Sequence, residues 1–219
     1  MFTQILRTQF KVTRTLVAAF AVTTFAAPAL AWRIGASGGY PGTPSALAVR
    51  AGFEPVGLIL MSAACLLGFL LVAVPWNVDG ASRHVYPLSL PLPWKRYVSM
   101  RFGAGALLLL LPVLSLWLGA LVTLALMELP ATLRAYPGGL AIRFGLASLL
   151  VYAFTFLLQY LAGRRAPVIL LVLLIIVAAV GVLGAAVGAG RGAEQFFRLL
   201  TEWPGPLSIF AAEWRLVDV

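Results

Sequence analysis

Long apolar segments constrain the fold of this chain more than any other feature of its sequence. Five of them stand out, at residues 15–31, 56–74, 102–127, 144–161 and 168–188. A helix needs about 20 residues to cross the ~30 Å hydrocarbon core of a bilayer, and each segment approaches or exceeds that length. Their apolar runs are continuous rather than alternating, which favours helices over the strands of a membrane barrel. The sequence therefore predicts an all-α membrane bundle of about five transmembrane helices, forming a single transmembrane domain over residues 1–219.

The composition and the rare residue types exclude several classes of protein. Hydrophobic residues make up 62% of the chain and charged residues only 11%, whereas soluble domains carry roughly 25% charged residues. A single cysteine, Cys65, and a single histidine, His84, cannot build a disulfide or a cysteine or histidine metal cluster. There is no phosphate-binding loop motif. We therefore expect no metal or cofactor and no catalytic activity of the chain by itself.

The distribution of charge predicts the orientation. If the N-terminus is cytoplasmic, the inner segments hold Arg7, Lys11 and Arg14 and the short Arg164-Arg165 loop, with Asp79 as their only acid. The outer segments then mix basic and acidic residues, which is the pattern of the positive-inside rule. The same rule accounts for the net charge of +9 without a nucleic-acid partner. Five crossings place the C-terminus outside the cytoplasm.

Three further segments carry predictions. Residues 1–14 form a basic amphipathic helix before the first span, although residues 1–31 also have the pattern of a cleavable secretory signal, and both interpretations stay open. The tail, residues 190–219, mixes charges with aromatic residues and predicts interfacial helices on the outer leaflet. Gly181, Gly184 and Gly188 place small residues on one face of the fifth span, for packing within the subunit or at a dimer seam.

Thr123, Thr155 and Gln159 lie within spans and are expected to hydrogen-bond between helices.

The most distinctive stretch is the inner loop, residues 77–101, and above all RHVYPLSLPLPWKRYVSMR at its end. Pro87 and Pro91 prevent a continuous helix, whereas Pro93 suits the start of a helix that runs into the third span. Two apolar clusters, the leucines at 88, 90 and 92 and the pair Trp94 and Tyr97, are expected to face lipid headgroups or a partner, and Lys95 and Arg96 to meet phosphate or acidic side chains. The stretch is either a basic interfacial linker or a docking element for a cytoplasmic protein.

This stretch resembles the segment before the third helix in permease subunits of the type-2 ABC exporter family. The resemblance rests on Leu90, Pro91, Leu92, Pro93, Lys95 and Arg96, with the basic N-terminus and the general layout in support. It implies an ATPase-coupling element formed by Leu90, Pro91, Leu92, Pro93, Trp94, Lys95, Arg96 and Tyr97. It also implies a separate P-loop ATPase subunit, a second permease subunit in a homo- or heterodimer, and a bacterial inner membrane. The chain differs in having five predicted spans where the family has six.

Three functions are therefore compared. The first is the permease subunit of an ATP-driven ABC transporter, in the direction of export. The second is a non-transporting membrane scaffold or assembly factor, which needs the same helices but no ATPase. The third is a membrane enzyme with Asp79, Arg83 and His84 at the inner surface.

Overall fold

The fold is dominated by long helices. The computed structural model describes residues 1–37, 46–81, 93–126, 134–166, 169, 172, 208–211, 214 and 216–218. The long helices are α1 (Phe2–Ser37), α2 (Ala46–Ala81), α3 (Trp94–Leu126) and α4 (Pro137–Ala162). The shorter elements are a 3₁₀ turn (Gly163–Arg165), the helix α5 (Ser208–Ala211) and the strands β1 (Arg134–Ala135) and β2 (Val217–Asp218).

The first four predicted spans are confirmed as helices. Each of α1 to α4 contains a stretch long and apolar enough to cross a membrane, and large apolar side chains on these helices are widely exposed, such as Val22, Leu58 and Ile142 at 63–70%. A surface of this kind is stable against lipid rather than water. The chain is an integral membrane protein. The fifth predicted span, residues 168–188, lies outside the described residues apart from Ile169 and Val172.

The helices are longer than the predicted spans. With 36 residues, α1 is about 54 Å long at 1.5 Å per residue, and the amphipathic segment 1–14 is continuous with the first span. Within the inner segment 77–101, residues 77–81 continue α2 through Pro75 to Ala81, and α3 begins at Trp94, directly after Pro93 as predicted. A proline removes only one backbone hydrogen bond of a membrane helix, and the neighbouring turns continue.

The seam between the parallel helices α1 and α3 brings backbone against backbone. Thr24 Oγ1 donates to the carbonyl oxygen of Pro112 at 3.1 Å, and Ser115 Oγ donates to that of Ala21 at 2.6 Å. A Cβ atom at Gly119 would overlap the carbonyl oxygen of Phe25 and lie 2.9 Å from its carbonyl carbon. Close approach at small residues, reinforced by interhelical hydrogen bonds, is a main source of helix association in lipid.

A second close seam joins α2 to α4. A Cβ atom at Gly68 would lie 2.6 Å from the carbonyl oxygen of Ser148 and 2.9 Å from the amide nitrogen of Tyr152. The expected interhelical role of Thr123 is wrong, because its hydroxyl donates to the carbonyl of Gly119 in its own helix at 2.7 Å. Thr155 Oγ1 is buried and has no hydrogen-bond partner among the described residues.

The chain terminus packs against the end of the bundle where α2 begins and α3 ends. Strand β2 pairs antiparallel with β1, with Arg134 opposite Asp218, and the amide of Tyr136 donates to the carbonyl of Leu216 at 2.8 Å. The backbone of Trp214 lies against Gly57, where a Cβ atom would come within 2.8 Å of its carbonyl oxygen. The prediction of interfacial helices is therefore wrong for Trp214 and residues 216–218, whereas residues 208–211 of the same tail form the short helix α5. The backbone of β2 is hydrogen-bonded to β1. An amphipathic helix on the membrane surface would instead form its backbone hydrogen bonds within itself, and β1 would lose its partner strand.

The chain divides into two compact units. The first contains Met1–Ala153 with Trp214–Val219, and the second contains Phe154–Glu213. In the second unit, α4 ends at Ala162 and is followed by Gly163 with a left-handed φ of 53°, a common way for a helix to end. The candidate site lies entirely within the first unit.

Candidate functional site

The candidate site lies at the amino-terminal end of the bundle, where the start of α1, the end of α2 and the start of α3 meet. Helix α3 begins directly after Pro93, as predicted, and the carbonyl of Pro93 accepts from the amides of Arg96 at 2.9 Å and Tyr97 at 3.1 Å. Pro93, Lys95 and Arg96 are exposed. The exposed cations of the predicted coupling element are thus presented on the first turn of a rigid helix.

Other predicted site residues fall elsewhere. Leu90, Pro91 and Leu92 lie outside the described residues, as do Gly181, Gly184 and Gly188. Trp94 is the first residue of α3. Tyr97 is buried, at 5% exposure, instead of facing a partner or the headgroups. It packs with Ile5 and Ala104 in a small cluster that anchors the first turns of α1 to α3.

Arg101 connects α3 to α2. It is only 7% exposed, although guanidinium groups are rarely buried without compensation. Its Nη1 donates to the hydroxyl of Tyr97 at 3.1 Å, and its guanidinium carbon lies 4.8 Å from the ring centroid of Trp76 on α2. A cation over the face of an indole is attracted by the ring quadrupole.

Tyr152 and Gln9 extend this group of polar residues to α4 and α1. The Tyr152 hydroxyl donates to the carbonyl of Phe102 at 3.0 Å, and the two rings lie 5.3 Å apart. The tyrosine fits because position 105 is glycine, where a Cβ atom would come within 2.6 Å of the Tyr152 ring. The side chain of Gln9 hydrogen-bonds to Tyr152, while Gln9 Oε1 has no hydrogen-bond partner among the described residues.

A cleft of about 70 Å³ opens between α1, α2 and α3 at this point. Thr8, Gln9, Tyr97 and Arg101 line it together with the apolar Val12 and Pro75. At the same end of the bundle, but not among the residues that line the cleft, Arg7, Lys11 and Arg14 on α1 and Lys95 and Arg96 on α3 are exposed. The cleft is mostly apolar, and the exposed cations at this end of the bundle suit docking to an acidic surface.

In the part of the chain that the structure describes, no group of three or more His, Cys, Asp or Glu residues could hold a metal ion.

Sequence reasoning did not select Gln9, Trp76 or Tyr152. Gln9 could have been found, because Ile5, Gln9 and Thr13 follow one another at four-residue spacing and form the buried stripe of the first turns of α1. A glutamine on such a stripe is a buried polar group that needs partners. Trp76 and Tyr152 carry no comparable signal, because their roles depend on which helices become neighbours.

No family model, no curated protein and no solved structure matches this chain. Its function is therefore argued from its own residues.

Proposed function

We propose that this protein is the permease subunit of an ATP-driven ABC transporter, in which a separate cytoplasmic P-loop ATPase docks at the start of α3. The resemblance of residues 90–97 to the coupling segment of the type-2 ABC exporter family motivates the proposal. The amino-terminal end of the bundle is then the cytoplasmic end, in agreement with the distribution of basic residues.

The observation that carries the proposal is the connection between the exposed and the buried residues of α3. Lys95 and Arg96 are exposed, and the next residue, Tyr97, is buried against Ile5 of α1. One turn later, Arg101 bonds to Tyr97 and stacks on Trp76 of α2. A displacement of the first turn of α3 by a docked ATPase would therefore be transmitted to α1 and α2. A coupling element needs this property, whereas a solvated linker does not.

A membrane scaffold or assembly factor is the second candidate. It is favoured by the backbone contacts at Gly119 and Gly68, which hold neighbouring helices at a fixed distance. A scaffold needs helix contacts that do not change. A permease with the same contacts would have to move α1 together with α3, and α2 together with α4.

The test is purification of tagged protein in a mild detergent, with identification of the proteins that accompany it. The variant Lys95→Glu/Arg96→Glu reverses the exposed charges at the proposed docking face. The matched control, Arg33→Glu/Arg134→Glu, makes the same change of net charge at exposed positions elsewhere. A P-loop ATPase should accompany the wild type and the control and be lost from the docking variant.

Two results would contradict the proposal. Well-folded wild-type protein that brings down no P-loop ATPase would favour the scaffold. An ATPase that binds the docking variant as well as it binds the control would show that the start of α3 is not the docking face.

A further inference from the structure

Three basic residues form a stripe along one side of α1, here called the basic stripe. Arg7, Lys11 and Arg14 are separated by four and three residues, a spacing that places them on the same face of a helix. All three are exposed. Ile5 and Gln9, which are buried in the bundle, lie on the opposite side of the helix, so the basic stripe faces outward.

The same outward face becomes apolar further along the helix. Ala18, Val22 and Ala29 continue the basic stripe at helical spacing and are exposed, and Val22 is 70% exposed. Exposed apolar side chains of a membrane helix are stable against lipid rather than water. Because α1 is continuous over Phe2–Ser37, the face that carries the basic stripe is the face that meets the bilayer.

The length of the uncharged part of α1 places the basic stripe at the edge of the bilayer. Residues 15–32 contain no charged side chain, and they span about 27 Å at ~1.5 Å per residue, close to the ~30 Å of the hydrocarbon core. Arg14 therefore lies at the boundary of the core. Lys11 lies about 4.5 Å further out along the helix axis, within a headgroup layer that is about 5–7 Å thick on each side. Arg7, about 10 Å from Arg14 along the axis, lies at the outer limit of that layer.

The direction of the side chains and the charge of the helix favour lipid phosphate as the partner. Side chains of a helix lean towards its N-terminus, which here is towards the headgroups. Lys11 and Arg14 can therefore reach the phosphates while their methylene groups stay against lipid. Helix α1 contains no Asp or Glu, so the helix itself does not neutralise the basic stripe. The guanidinium fork and the ammonium group both bind phosphate oxygens.

We propose that the basic stripe binds the phosphate groups of anionic phospholipids in the leaflet at the amino-terminal end of α1, with Lys11 and Arg14 as the principal contacts. Anionic lipids are preferred to zwitterionic ones because basic residues near a membrane surface are attracted by its net negative charge. An acidic protein surface would also suit the charges, but the continuation of the same face to the exposed Val22 favours lipid. The proposal is independent of the transport function, because a scaffold would have the same stripe.

The experiment uses the full chain in bilayer nanodiscs that contain phosphatidylglycerol and phosphatidylcholine in equal amounts and with the same acyl chains. Native mass spectrometry of the protein released from the discs counts the retained molecules of each lipid. The variant Lys11→Gln/Arg14→Gln removes the two principal cations, both at exposed positions.

The matched control is Lys95→Gln/Arg96→Gln, which removes the same charge from exposed positions at the same end of the bundle. These two residues lie beyond the headgroup layer. The next residue, Tyr97, packs on Ile5, which is about 13 Å further out than Arg14 along α1.

The wild type and the control should retain phosphatidylglycerol in preference to phosphatidylcholine. In Lys11→Gln/Arg14→Gln the ratio of the two retained lipids should fall at least about tenfold, since each basic residue at an anionic surface contributes about fivefold. An unchanged ratio would overturn the proposal. An equal fall in the two double variants would overturn it too, because net charge alone would then explain the effect. Loss of the preference in the wild type on addition of inorganic phosphate, but not of chloride at the same ionic strength, would overturn the assignment to lipid.

Further variants keep the test decisive. If Lys11→Gln/Arg14→Gln does not fold, Lys11→Gln alone should lower the ratio about fivefold. The exchange Lys11→Arg/Arg14→Lys keeps both charges and should keep the preference, and its loss there would show that charge is not the basis of binding. A protein partner that accompanies the wild type and is lost from Lys11→Gln/Arg14→Gln, with the lipid ratio unchanged, would place a protein on this face and overturn the proposal.

Discussion

The substitution Gly119→Ala should destabilise the bundle although it adds a single methyl group. The added Cβ atom would overlap the carbonyl oxygen of Phe25 and lie 2.9 Å from both its carbonyl carbon and its Cα. Ordinary contacts to a Cβ atom are 3.4 Å or more, so α1 and α3 must separate by at least about half an ångström. The obstacle is backbone, which cannot turn aside as a side chain can.

The expected cost follows from two effects. Overpacking of a close-packed interior costs about 1–3 kcal/mol. Separation of the helices also weakens the two hydrogen bonds of the seam, from Thr24 and from Ser115, and such bonds in membrane bundles are worth about 0.6 kcal/mol each. Gly119→Ala should therefore lower the free energy of unfolding by about 2–4 kcal/mol.

The assay is unfolding in mixed micelles with increasing SDS, monitored by the loss of the native tryptophan fluorescence. The matched control is Gly103→Ala in the same helix, where the nearest atom to the added Cβ is 3.7 Å away on the Phe2 ring. The control should be neutral or slightly stabilising, because alanine favours a helix over glycine by up to about 1 kcal/mol. If the two variants unfold together, the seam between α1 and α3 is not as close as the structure places it.

Two further predictions concern buried aromatic residues. Tyr152→Phe removes the hydroxyl that donates to Phe102 and should cost about 1 kcal/mol in the same assay, whereas Tyr160→Phe at an exposed position should change the stability by less than about 0.5 kcal/mol. Trp214→Phe should cost much less than the ~3–5 kcal/mol of Trp214→Ala, because the indole nitrogen of Trp214 has no hydrogen-bond partner among the described residues. Equal losses for these two substitutions would mean that the buried aromatic ring of Trp214 does not stabilise the protein through its packing.

Hydropathy was sufficient to predict the middle of each described helix but not its ends. The free energy of lipid insertion acts only across the hydrocarbon core, so residues beyond it leave no hydropathy signal. The first turns of α1 are helical and fixed because Ile5 packs against Tyr97, a contact between residues far apart in the sequence. The strand pairing of Arg134 with Asp218 is equally non-local, and no motif of either segment indicates it.

The candidate site was predicted in part for the same reason. Lys95 and Arg96 are exposed at a helix start beside Pro93, a position that depends only on local sequence, and their role in docking stays a prediction. Tyr97 was expected to face a partner or the headgroups and is buried instead, since its environment depends on the position of α1. Gln9 and Tyr152 meet across the bundle, and a single sequence does not reveal which helices are neighbours.

The most direct test of the account is the side of the membrane on which the start of α3 lies, because the proposed docking face must be cytoplasmic. Cys65 is first replaced by alanine, and single cysteines are then introduced by Arg96→Cys and Arg134→Cys, both at exposed positions. A membrane-impermeant maleimide added to intact cells, with the outer membrane permeabilised where there is one, should label the Arg134→Cys protein. It should label the Arg96→Cys protein only after the inner membrane is opened. Labelling of Arg96→Cys in intact cells would contradict the account.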